Sequence, residues 1–213
     1  LSLIHISEPT VFFEFAYETA RLAHNKGIRN VFVTNGYMTA EALEMINPYL
    51  DAANVDLKAF TDKYYKELCG AGLKHVQATL KSMKSLGIFV EVTTLVVPGL
   101  NDNPSELSDL AAFIVQDLGP ETPWHISRFH PTYKLTDRPS TPVQTLTMAR
   151  EIGLKAGLKY VYTGNVPGNA AENTFCFSCS ETVIERRGFQ VGNLRLKNGR
   201  CTKCGAEIDG VWE

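Results

Sequence analysis

The sequence predicts an α/β fold of consecutive βα units on a parallel sheet or barrel, followed by a small cysteine-bearing module. Two observations carry the first half. From Glu8 to about Gly168, short β-branched runs alternate with amphipathic stretches, and several of those stretches open on Pro or Thr and close on Gly. A third observation carries the second half: beyond Gly168 the helical period disappears, and four of the five cysteines fall there in two Cys-x2-Cys pairs. The boundary is placed near residue 170, giving a βα body over 1–170 and a module over 171–213.

The elements follow in order. The opening "LSLIHISEPT" alternates Leu1, Leu3, Ile4 and Ile6 like a strand entered halfway, then breaks at Ser7-Glu8-Pro9-Thr10. Pro9 and Gly27 bracket a first helix, on which Phe12, Phe15, Ala16, Thr19, Leu22 and Ala23 make the expected apolar stripe. Strands are expected at Val31 to Thr34, Asn54 to Leu57, Phe89 to Val96, Trp124 to Phe129 and Tyr160 to Tyr162. Between them, Thr39 caps a helix carrying Leu43 and Ile46, and Leu73 to Leu86 forms one ending at Gly87. "NPSELSDLAAFIVQDLG" and "TPVQTLTMAREIGLKAG" complete the series.

Composition excludes several classes. The 213 residues are 44% hydrophobic, enough for a sizeable core, yet no apolar run reaches the roughly 18 to 20 residues of a membrane helix. No basic segment precedes an apolar one at the start, so a cytoplasmic protein without a membrane partner is expected. A net charge of -2 gives no electrostatic footprint for phosphate backbones, which makes nucleic acid an improbable partner.

The pairs Cys176-x2-Cys179 and Cys201-x2-Cys204 are separated by 21 residues, close to the spacing of a zinc ribbon. Four thiolates close a tetrahedral shell and leave no open position, so the expected site is structural and a zinc hydrolase is disfavoured. Tetrahedral sulfur also suits iron, and two disulfides are the alternative to a metal. Cys69 stands alone and reads as a small buried hydrophobe.

In parallel α/β folds, sites gather beyond the carboxyl ends of the strands. Those ends here read Thr34-Asn35-Gly36, Asp56-Leu57-Lys58, Thr93-Thr94, Arg128 with His130, and Thr163-Gly164-Asn165. Together they favour a polar pocket at one mouth of the sheet. Singly, each has an ordinary explanation: Asp56 and Lys58 as a surface ion pair worth under about 1 kcal/mol, His130 as a structural histidine, Glu8 as a helix-end carboxylate.

The stretches "VTNGY", "VDLKAF", "VEVTTLVVPGLND", "WHISRFHPTYKLTDRP" and "YVYTGNVPG", followed by the two cysteine pairs, resemble the radical S-adenosylmethionine enzymes of the AmmeMemoRadiSam system, which are similar to pyruvate formate-lyase activating enzymes. The resemblance runs collinearly from Glu8 to the C-terminus. It implies a partial (βα)6, TIM-like barrel with a C-terminal zinc ribbon, binding S-adenosylmethionine against a [4Fe-4S] cluster. Reductive cleavage of that cofactor would release a 5'-deoxyadenosyl radical that abstracts hydrogen from a protein or small-molecule substrate, with an electron donor as a further partner. It implies cofactor-binding roles for Glu8, Thr34, Asn35, Asp56, Leu57, Lys58, Thr94 and His130, and Zn2+ at Cys176, Cys179, Cys201 and Cys204.

The chain departs from the family at one place. No Cys-x3-Cys-x2-Cys occurs, and Ile6 and Ser7 stand where glycines are expected before Glu8. "LSLIHISEPT" resembles a translated sequencing-library adaptor, so residues 1 to about 7 are expected to be foreign. The chain is then expected to be an inactive fragment lacking its first βα unit, with a bare sheet edge that makes it prone to aggregate. The rival reading is a non-catalytic scaffold whose ribbon, locally basic at Arg186, Arg187, Arg195, Lys197, Arg200 and Lys203, recruits a protein or RNA.

Overall fold

A computed structural model describes residues 2–4, 8–188 and 190–212. Its body is one parallel sheet of six strands in sequential order: β1 (Ser2–Ile4), β2 (Asn30–Thr34), β3 (Ala52–Asp56), β4 (Phe89–Val96), β5 (Trp124–Arg128) and β6 (Val161–Gly164). Unbroken order with helical crossovers is the signature of repeated βα units. Among the described residues β6 does not pair with β1, so the sheet is open. Ser2–Ile4, which the sequence reading assigned to a foreign leader, pairs in register with Asn30–Phe32. Leu1, Ile6 and Ser7, which that reading also used, lie outside the described residues.

The helices are α1 (Phe13–His24), α2 (Ala40–Ile46), α3 (Asp62–Tyr64), α4 (Leu73–Ser85), α5 (Pro104–Phe113) and α6 (Val143–Ala156). Local chemistry sets their starts. The Thr39 hydroxyl accepts from the Ala42 amide at 3.2 Å, and Asn103 caps α5 by accepting from Ser105 at 2.8 Å. A 3-10 turn over Pro9–Phe12 precedes α1. The apolar stripe expected on α1 is corrected: Ala16 and Ala20 are buried, whereas Phe15 is 73% and Leu22 55% exposed. Ala16 and Ala20 let this helix approach the sheet closely, Phe13 and Tyr17 pack at the edge of the core, and Phe15 and Leu22 point away.

Side chains alternate across each strand. One set packs under the helices: Phe32, Val55, Val92, Val96, Trp124 and Ile126 are all fully buried. The other set, including Asn54, Asp56, Glu91, Thr93, His125, Ser127 and Tyr162, is half-buried on the opposite face. This polar face and the carboxyl ends of the strands hold the chemistry.

The C-terminal module contains an antiparallel sheet of β7 (Thr174–Phe175), β8 (Thr182–Arg187) and β9 (Gln190–Leu194), with a hairpin of β10 (Leu196–Lys197) and β11 (Arg200–Cys201). Tyr160, just before β6, packs with Cys176, Val183, Ile184, Cys201 and Ile208 in one apolar cluster. Tyr162 lies against the same cluster. The module is therefore fastened to the β6 side of the sheet.

Candidate functional site

At the carboxyl end of β2, Glu8 is the hub of a small network. Its Oε1 accepts from the Thr34 hydroxyl at 2.6 Å, and its Oε2 accepts from the Asn35 amide at 2.7 Å. Thr10 adds its hydroxyl at 3.1 Å. Thr34 in turn accepts from the Gly36 amide at 3.1 Å, so this buried hydroxyl is committed within the turn. Gly36 needs its glycine twice: φ is +71°, and a Cβ there would meet Val55 at 2.6 Å.

At the end of β3, Lys58 Nζ reaches Asp56 Oδ2 at 2.8 Å, both side chains being more than a third exposed. Two neighbours hold the Lys58 backbone. Its amide donates to the Tyr65 hydroxyl at 3.1 Å, and its carbonyl accepts from Asn101 Nδ2 at 2.5 Å. Asn101 is buried and also bonds the Leu95 carbonyl and the Val97 amide, tying the end of β3 to the end of β4. Burial pushes the Tyr65 hydroxyl up, and Tyr64 up to about 12, so both stay neutral. A cavity of about 480 Å3 adjoins Lys58 and Asn35, walled by Tyr37, Tyr64, Cys69 and Leu135. Burial raises the Cys69 thiol against the opposing pull of Lys58.

The remaining expected residues lie elsewhere. Leu57 and Thr94 are fully buried; the Thr94 hydroxyl donates to the Leu57 carbonyl at 2.9 Å and accepts from Trp124 Nε1 at 3.0 Å. Thr94 thus braces the floor beneath the mouth. Register explains why: Thr93 is the partner of Asp56 and shares its face, while Thr94 turns toward the helices. His130 is exposed in the loop after β5, with its Nδ1 3.3 Å from Ser140 Oγ.

Sequence reasoning missed a polar row on the open face of the sheet. Thr93 donates to Asn54 Oδ1 at 2.7 Å, and Glu91 Oε2 lies 2.8 Å from His125 Nε2. The His125 ring stacks on Tyr162 with centroids 5.0 Å apart. Burial alone would raise the Glu91 carboxyl, but the His125 hydrogen bond and charge hold it below the usual range. The signal was the polar parity of "VEVTT" and "WHIS", legible only once the strands are registered.

In the C-terminal module, one sulfur from each of Cys176, Cys179, Cys201 and Cys204 lies within 4.8 Å of the others, which suits a metal ion. The Ala206 backbone and the neighbouring thiols draw Cys204 down to about 7. Nearby basic residues are partly spent: Arg195 and Lys203 pair with Glu181, and Arg200 pairs with Glu207.

Comparison with known proteins fits this architecture. The profile of the Radical SAM superfamily matches residues 3–114. An uncharacterized Methanocaldococcus jannaschii protein is 49% identical over 207 residues, 96% of this chain and 61% of that protein. The isethionate sulfite-lyase activating enzyme of Nitratidesulfovibrio vulgaris is 28% identical over 114 residues, 53% of this chain and 37% of that enzyme. The chain therefore spans 61% and 37% of the lengths of these two relatives. A domain of a pyruvate-formate lyase-activating enzyme from Bacteroides vulgatus superposes with a TM-score of 0.66 at 14% identity, covering 76% of this chain and 98% of that one.

The chain belongs to the Radical SAM superfamily. Among the described residues no helix is long and apolar enough to cross a membrane.

Proposed function

We propose that this chain is the S-adenosylmethionine-holding part of a radical enzyme of the activating type. The observation that carries this reading is the Asp56–Lys58 pair at the end of β3, beside the Glu8–Thr34–Asn35 network at the end of β2. The methionyl end of S-adenosylmethionine bears an ammonium and a carboxylate, and an exposed carboxylate next to an exposed ammonium is complementary to it. Glu8 has both oxygens occupied, so its part is to fix the Asn35 turn. Asn101 and Tyr65 hold the Lys58 backbone and set the direction of its side chain. When bound, S-adenosylmethionine supplies a sulfonium bond whose reductive cleavage starts hydrogen abstraction.

A [4Fe-4S] cluster does not fit the described residues at this mouth. Cys69 is the single cysteine outside the C-terminal module, whose four sulfurs already converge on one another. The cluster's thiolates have to come from outside these 213 residues, so the chain alone does not cleave the cofactor.

Calorimetric titration of the chain with S-adenosylmethionine tests the reading. Saturable binding that weakens at least about tenfold in Asp56→Asn and Lys58→Met, a change of about 1.4 kcal/mol, is the expected result. Equal affinity in the variants, or no binding to the parent, overturns it.

For the four cysteines we propose a structural Zn2+. Elemental analysis should return one zinc per chain, and Cys204→Ser should abolish it; iron in its place would correct the assignment.

A further inference from the structure

A second cavity, of about 400 Å3, lies where α6 and β6 meet the C-terminal module, at the opposite end of the strand order from Glu8, Asp56 and Lys58. Its walls include Arg150 and Leu154 of α6, Lys159 and Val161 beside β6, and Phe175 and Phe177 of the module. Contacts with those walls fix both cations. Arg150 Nε donates to the Val161 carbonyl at 3.1 Å, and the centre of its guanidinium lies 5.7 Å from the Phe175 ring centroid. Lys159 Nζ lies 4.7 Å from the Phe177 centroid. The two rings flank Cys176, so the turn that carries this cysteine also supplies the aromatic wall.

The chemistry of this lining is one-sided. Among the described residues no carboxylate lines the cavity. Its acceptors are already committed: the Val161 carbonyl to Arg150, the Cys176 carbonyl to the Ser180 amide, the Tyr160 hydroxyl to the Asp209 amide, and Asn173 Oδ1 to the Arg186 amide at 2.7 Å. Donors remain. Nη1 and Nη2 of Arg150 and Nδ2 of Asn173 have no partner among the described residues, and none of the three is sealed from solvent. Lys159 is neutralised by Asp209 at 2.9 Å, which leaves the charge of Arg150 uncompensated on the wall. Burial pulls the Arg150 guanidinium below its ordinary value, and Glu151, which acts the other way, makes no ion pair with it. A partly desolvated cation without a counter-charge is costly, and an anion relieves it.

Free donors, one net positive charge and an apolar surround select a singly charged anion that carries hydrocarbon. With Nε held on Val161, the part of Arg150 still available is its Nη1 and Nη2 edge, whose parallel N–H groups match a carboxylate. Leu154 stands one turn along α6 from Arg150 and extends the apolar surface. We propose that this cavity binds an apolar monocarboxylate, with the carboxylate on the Arg150 guanidinium and the hydrocarbon body against Leu154, Phe175 and Phe177.

Titration of the chain with phenylacetate, followed in 1H–15N spectra that include the Arg150 side chain, tests the site. Saturable shifts of the Arg150 Nε–H and of the Phe175 and Phe177 amides are expected. Phenylacetamide has nearly the same shape without the charge and should bind at least about tenfold more weakly. Phenyl phosphate, a dianion at neutral pH, should bind no more tightly than phenylacetate. Arg150→Gln should remove binding, and because Arg150 also holds β6, a second variant separates recognition from folding. Leu154 is 38% exposed, so Leu154→Glu should leave the backbone spectrum intact while its carboxylate, one turn from Arg150, weakens phenylacetate by a similar factor. No binding to the parent, shifts confined to other parts of the chain, equal affinity for acid and amide, or full affinity in Leu154→Glu overturns the proposal; tighter binding of phenyl phosphate overturns the choice of a monocarboxylate. None of these readouts uses Asp56, Lys58 or S-adenosylmethionine, so the outcome is independent of the function proposed above.

Discussion

The two faces of the six-stranded sheet are made by the same strands and behave as different materials. Under the helices, β4 and β5 contribute Val92, Val96, Trp124 and Ile126, all without solvent contact. One residue along, the same strands contribute Glu91, Thr93, His125 and Ser127 to a half-buried polar surface. Parallel sheets are ordinarily covered on both faces and read as continuous hydrophobic runs. Here the alternation survives inside a parallel sheet, which separates the residues that hold the fold from those free to meet a ligand.

That separation can be broken hardest on the buried face. Trp124 is fully enclosed, and its indole N–H is bonded to Thr94, so Trp124→Ala should cost about 3–5 kcal/mol in urea unfolding. Gly153 of α6 tests the same face by addition instead of removal: a Cβ there would lie 2.9 Å from the Trp124 ring and 3.0 Å from Val161. Gly153→Ala should destabilise by about 1–3 kcal/mol of crowding, less about 1 kcal/mol recovered in helix propensity. An unchanged denaturation midpoint would mean that the helix shifts freely on the sheet.

On the polar face the effects should be smaller and pH-dependent. Glu91 is held below the usual glutamate value of 4.5, so the folded state binds its proton less readily than the unfolded chain does. Its contribution is fully present above the unfolded value and is lost as pH falls through the folded one. Stability curves of the parent and Glu91→Gln should therefore differ near neutrality and converge below pH 4.5. Smallest of all, Asp56→Asn should change thermal stability by under about 1 kcal/mol, because its ion pair with Lys58 is exposed. A large loss there would turn that pair from a ligand site into a structural one.

The sequence reached the fold more fully than the site. Phe89–Val96 is read to the residue, because a long β-branched run ends at Pro98-Gly99. The short helix Asp62–Tyr64 and the π-helical turn Tyr65–Cys69 were not read, since "TDKYYKELCG" has no extended apolar stripe. At the site, Asp56 and Lys58 stand out as charges at a strand end, but Thr94 was preferred over Thr93. A shift of one residue inverts which face a side chain occupies, and the pairing of Asp56 with Thr93 puts Thr93, not Thr94, on the Asp56 face. Glu91, His125 and Tyr162 were invisible for a related reason: they are 34 and 37 positions apart in sequence, and register alone makes them neighbours. Asn101 could have been suspected from the Pro-Gly-Leu-Asn turn, though its target carbonyls could not.

The fastening of the C-terminal module to β6 also fixes how the sheet can grow. Arg150 donates to the Val161 carbonyl at 3.1 Å, and Tyr160 and Tyr162 are packed against the module, so part of that flank is already occupied. Strand addition there would require displacing a guanidinium and two packed tyrosines. The β6 flank is therefore the obstructed direction for any extension of the sheet.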